Sequence, residues 1–100
     1  MQALGSAITG VTFTDVFRTT LQGNVWSWLH GTTIGSVGLW CSTSKGGTYE
    51  AYTPAGTAVA ITAEGTYVLN LPGGLYWKYK GDGSTAAITV HIDGPHIQLA

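Results

Sequence analysis

The sequence predicts an all-β domain: an antiparallel β-sandwich, jelly-roll-like, with about eight short strands and an extended N-terminal arm. Three observations carry the prediction. Apolar and polar residues alternate at period two along most of the chain, which is the spacing that sends alternate side chains to opposite faces of a sheet. Turn residues interrupt that alternation about every eight to twelve positions, the rhythm of a sandwich or barrel. Finally, 15 glycines and abundant Thr and Ser leave helix little foothold.

The C-terminal half shows the pattern most plainly. Over residues 85–92, Ala86, Ile88, Val90 and Ile92 point one way and Thr85, Ala87, Thr89 and His91 the other. Tyr67, Leu69 and Leu71 alternate likewise before Pro72-Gly73-Gly74, after which Leu75, Trp77 and Tyr79 are expected to face inward. Pro-Gly-Gly and Gly81-Asp82-Gly83-Ser84 read as hairpin turns, so 66–71, 75–80 and 85–92 are expected to form a three-stranded meander. Upstream, 24–30 and 35–42 read as a second pair joined by Gly31-Thr32-Thr33. Val25, Ser27 and Leu29 lie on one face of the first strand and Trp26, Trp28 and His30 on the other. Shorter strands are expected at 48–52 and 58–62. The turn spacing suits jelly-roll and immunoglobulin-like strand orders equally.

One hundred residues fit one domain, divided here into an N-terminal arm or edge strand (1–20), a sandwich body (21–94) and a C-terminal tail (95–100). The strand expected at 7–14 has small residues and little to bury alone, so it reads as an edge or as an arm laid on a neighbour. Only 9% of residues are charged, against about 25% in ordinary soluble domains. With four Trp and five Tyr, this bland surface favours an oligomer whose subunits cover one another. The candidate contact residues are Ile8, Val11 and Phe13 of the arm, Trp26, Trp28 and His91 on outward strand faces, and Ile97 and Leu99 of the tail. The face carrying Trp26 and Trp28 is assigned to a subunit contact in preference to partial exposure or a carbohydrate platform.

Several function classes find no support. Arg18, Lys45, Lys78 and Lys80 against five acidic residues leave a net charge of −1, too little to neutralise a phosphate backbone, so nucleic acid is not an expected partner. Cys41 stands alone, which excludes an internal disulfide and paired-Cys zinc patterns, and it is expected as a small buried hydrophobe. No apolar run approaches the ~20 residues that cross a bilayer, and the first residues lack the basic and apolar regions of a signal peptide. The expectation is a protein made in the cytoplasm that stays there or in what assembles there, without a membrane. Asp15, Glu50, Glu64, Asp82 and Asp93 sit singly at strand ends or turns, and no nucleophile elbow, zinc-protease or phosphate-loop motif occurs. No enzyme, cofactor or metal site is expected; a metal would need His30, His91 or His96 to meet others around a symmetry axis.

Taken in order, Val25-Trp26-Ser27-Trp28, the strand 36–42 leading to Ser44-Lys45-Gly46-Gly47-Thr48, Ala63-Glu64-Gly65-Thr66-Tyr67, Leu71-Pro72-Gly73-Gly74-Leu75-Tyr76-Trp77-Lys78 and the strand 85–92 resemble small virion structural proteins of tailed bacteriophages. The resemblance covers about residues 20 to 94. Lys45 departs from it, standing where such proteins usually carry an acidic residue before the paired glycines. The resemblance implies a head decoration, or cement, protein: a homotrimer on the capsid exterior, at three-fold or quasi-three-fold positions of the major capsid protein lattice, with arm and one edge clamping adjacent capsid subunits. The alternative is a host-recognition module of a tail or fibre, reading glycan through Trp26, Trp28 or Tyr76.

Overall fold

The computed structural model describes residues 2–5 and 8–100, and for Gln2 the backbone alone; Met1, Ser6 and Ala7, the last being the start of the strand expected at 7–14, lie outside the described residues. Among the described residues nine strands follow in chain order: β1 (Gln2–Ala3), β2 (Phe17–Thr19), β3 (Gly23–Thr33), β4 (Gly38–Ser42), β5 (Glu50–Ala51), β6 (Gly65–Leu71), β7 (Leu75–Lys80), β8 (Ala86–Asp93) and β9 (Ile97–Leu99). They form two antiparallel sheets, a four-stranded one ordered β1-β8-β3-β6 and a five-stranded one ordered β5-β4-β7-β2-β9. The expected all-β sandwich is present.

The core between the sheets is filled from both by the inward half of each alternating pattern. Val25 and Leu29 of β3 and Ile88, Val90 and Ile92 of β8 face Phe17 of β2, Leu39 of β4 and Trp77 and Tyr79 of β7, all essentially inaccessible to solvent. Phe17 stacks on Tyr79 with ring centroids 6.4 Å apart, and Tyr52 meets Trp77 edge-on at 4.9 Å, favoured aromatic geometries. Trp77 donates its indole N–H to Thr19 Oγ1 at 2.9 Å, and Thr19 Oγ1 donates in turn to the carbonyl of Pro72 at 2.8 Å. The buried ring therefore leaves no polar atom unmet.

The expected meander is not formed. β6 pairs with β3, β7 with β4 and β2, and β8 with β3 and β1, so the three strands change sheets at each turn. Pro72-Gly73-Gly74 is a corner that carries the chain across the core. A Cβ on Gly73 would lie 2.6 Å from the backbone of Leu21, and the amide of Gly74 donates to the carbonyl of Thr19 at 2.7 Å. The pair expected upstream is also split. β3 runs on through Gly31-Thr32-Thr33, and the corner comes at Gly35, whose φ of +67° presses its backbone against the Asp82–Thr85 turn. Period two tells which side chains seek the core, and a hairpin and an inter-sheet corner impose the same alternation.

Of the two expectations for the N-terminal segment, an extended arm or an edge strand, its described residues follow the second and lie along the chain's own sheets. Gln2 and Ala3 pair with Ile92 and His91, Ile8 bridges Ile88, and Phe13 bridges Lys80. Leu4 is 1% exposed and Ile8 8% exposed, so this segment has a core of its own to enter. The tail also belongs to a sheet, with β9 beside β2.

Candidate functional site

The outer face of the four-stranded sheet carries the molecule's main exposed aromatic surface. Because Val25, Ser27 and Leu29 of β3 go inward, Asn24, Trp26, Trp28 and His30 must go outward. The register then sets their neighbours. Trp26 lies between Val68 of β6 and Asp93 of β8, and Trp28 between Thr66 and His91. Trp26 is 38% exposed, Trp28 40% and Val68 52%.

Trp28, His30 and His91 hold one another in place on this face. Trp28 stacks on His30 with centroids 4.7 Å apart, and His30 and His91 lie nearly parallel at 5.8 Å. The hydroxyl of Thr89 meets His30 Nε2 at 2.8 Å, fixing that ring's rotation. His91 Nδ1 is shielded from solvent with no hydrogen-bond partner among the described residues. A surface whose rotamers are already restricted loses little entropy on binding. Covering the remaining exposed area of the two indoles, about 200 Å², contributes ~5 kcal/mol before the cost of association.

The outer face of the five-stranded sheet is different in character. Lys78 of β7 places its ammonium 4.0 Å from the ring centroids of both Phe13 and Tyr49, and Lys80 lies 4.6 Å from that of Trp40. Phe13 and Trp40 meet edge-on at 5.9 Å, and Arg18 of β2 lies 5.9 Å from the ring centroid of Tyr76. Three of the chain's four cations are thus engaged by aromatic faces, each such contact contributing ~0.5–1 kcal/mol at an exposed site.

The structure distributes the expected contact residues unevenly. Trp26, Trp28 and His91 come together on one face. Ile8 is buried in the core beside Ile88, and so is not a surface contact. Val11 is exposed at 63%, while Phe13 is partly covered by Lys78 and lies by the opposite sheet. Ile97 packs against the core from β9, and Leu99 is exposed further along it. Tyr76 belongs to the five-stranded sheet, so it shares no surface with Trp26 and Trp28. His30 lies on this face beside Trp28 as its strand's alternation places it, and Val68 completes the apolar strip without having been singled out, although it stands between Tyr67 and Leu69 as an outward member of its strand. The cation ladder was also legible, since Tyr76, Lys78 and Lys80 occupy the face opposite Trp77 and Tyr79.

The titratable groups elsewhere have structural surroundings. Burial, and secondarily the nearby Glu50 carboxylate, push the Cys41 thiol up, and the side chain packs half-buried against the core, so it stays protonated at neutral pH. The hydroxyl and amide of Ser84, with the Ser36 amide and the Thr85 hydroxyl, hold the Asp82 carboxyl below its ordinary value. Among the described residues no group of three or more His, Cys, Asp or Glu side chains is arranged to hold a metal ion. Comparison with family models, curated proteins and solved structures finds no match to this chain.

Proposed function

We propose that the chain is a structural protein of a virus particle, a head decoration protein of the tailed-bacteriophage type. In this reading it is carried as a homotrimer on the major capsid protein and acts through contact rather than chemistry. The observation that carries the reading is the Trp26–Trp28–Val68 strip: exposed apolar side chains side by side on one sheet face, with Trp28 stacked on His30, of the kind that marks a protein interface. Strand order adds support. We read β1-β8-β3-β6 facing β2-β7-β4-β5, with β9 appended, as jelly-roll winding, a frame that serves capsid and lectin domains.

The mechanism is addition of weak contacts. A trimer seated on several shell subunits multiplies modest affinities, because each engaged site raises the effective concentration at the next. Heads lacking the protein are then expected to lose their genome at lower temperature or lower salt than decorated heads. Identical heat and salt tolerance with and without it contradicts the proposal.

A second reading is favoured by the polar rim around the same strip, where Asn24, Asn70 and Asp93 flank the two indoles. Indole faces with hydrogen-bonding neighbours suit a sugar ring. A tryptophan-fluorescence titration across a glycan panel separates the two, since only the glycan reading expects a saturable change.

A further inference from the structure

The four sheet edges are unequal. β1 and β5 are two residues long, β5 carrying Glu50, and β9 is three. The fourth edge, β6, runs for seven residues, is hydrogen-bonded among the described residues only to β3, and contains neither a charge nor a proline. Its register against β3 is unbroken from Gly23↔Leu71 to Leu29↔Gly65, so no bulge twists it away. Soluble proteins blunt edges by shortness, charge, proline or bulges, and β6 uses none of these. It presents a straight row of backbone donors and acceptors that another strand can satisfy.

We propose that β6 is a strand-pairing site whose occupant is β6 of a second copy of this chain, antiparallel about a two-fold axis through Val68. Val68 is the middle residue of the strand, so this register pairs the whole ladder. On the outer face Thr66 opposes Asn70 and Val68 opposes the partner's Val68, with no like charges in apposition. On the inner face Tyr67 opposes Leu69; both are half-buried against the core, and the added strand closes the open side of that core. Since Val68 is the register neighbour of Trp26, the joined sheets carry one apolar row across the axis. A second copy fits better than a charged segment for that reason.

A seven-residue ladder spans about 23 Å, and one strand edge of that length covers roughly a few hundred Å², short of the about 800 Å² per partner of a stable complex. The pairing is therefore reversible, with a dissociation constant on the order of 10 µM or weaker. It shares Val68 with the strip of the proposed function but does not depend on the capsid reading, and exchange of the β6 backbone amides reads the pairing apart from that strip. Where copies sit as trimers, it links neighbouring trimers across two-fold axes.

Sedimentation equilibrium of wild type, Val68→Lys, Val68→Glu and an equimolar mixture of the two variants tests this register. Val68 is half exposed, so both variants are expected to keep the wild-type circular dichroism and melting temperature. Each variant alone should hold the mass of the unlinked unit, monomer or trimer, while wild type exceeds it with rising concentration, an association constant at least about tenfold larger. The mixture, in which Lys faces Glu, should regain the association. Equal association of wild type and Val68→Lys overturns the proposal, as does failure of the mixture to recover. Hydrogen exchange of the wild type gives an independent reading: β6 amides should gain protection with concentration while those of β9 do not, and unchanged β6 exchange also overturns it.

Discussion

The hydroxyl of Tyr79 meets the hydroxyl of Ser27 across the middle of the sandwich, one from each sheet. Both residues are fully buried, so each satisfies a group that would otherwise be stranded away from water. This contact is a polar fastener between the two sheets, beside the buried Trp77–Thr19 bond. Tyr79→Phe leaves the Ser27 hydroxyl unpartnered and is expected to cost ~1–3 kcal/mol in urea unfolding, and Ser27→Ala a similar amount. The double variant should cost less than the sum, because removing both partners strands neither.

The same burial sets a response to alkali. Burial pushes the Tyr79 phenol up to about 12 from an ordinary 10, only partly opposed by the bond to Ser27. The folded state resists ionisation, so its contribution is intact below pH 10. Stability is then lost as pH rises toward about 12, by up to ~3 kcal/mol. Urea midpoints across this range should fall less steeply for Tyr79→Phe than for wild type.

Asp82 gives the opposite sign. Its carboxylate accepts from the hydroxyl and amide of Ser84 at 2.8 and 2.9 Å and is held below its ordinary 3.8. Its contribution is therefore present above that pH and lost as pH falls through the lower folded value. The melting-temperature gap between wild type and Asp82→Asn should be open at pH 7 and close in strong acid.

The corners make a prediction about glycine. Gly73→Ala drives a Cβ to 2.6 Å from the Leu21 backbone, whereas at Gly83 nothing lies within 4 Å and φ is not positive. Gly73→Ala is expected to lower stability by ~2 kcal/mol or more and Gly83→Ala to change it by less than ~0.5 kcal/mol. Thermal melts of the two variants check this contrast.

The sandwich and the inward faces of its strands were legible from alternation, because Val25, Leu29, Trp77, Tyr79, Ile88 and Ile92 all lie where period two sends them. The neighbours of each strand were not. Pro72-Gly73-Gly74 carries the residues of a hairpin yet turns between sheets, for the deciding fact is the approach of Leu21 from fifty residues earlier in the chain. Ile8 and Leu4 were hidden for a related reason: a weakly apolar segment looks fit for a neighbour until the edge of β8 is seen to need it. At the candidate site, Trp26 and Trp28 were legible as outward residues. The grouping with His91 and Val68 needed the register of three strands.

If the chain decorates a capsid as proposed, the environment of Trp26 and Trp28 on that capsid tests most directly whether their face is a contact surface. Hydroxyl-radical footprinting should oxidise both indoles in the free protein and spare both in the particle-bound protein, with buried Trp77 spared in each as the internal reference. Equal oxidation of Trp26 and Trp28 in the free and bound states would contradict it.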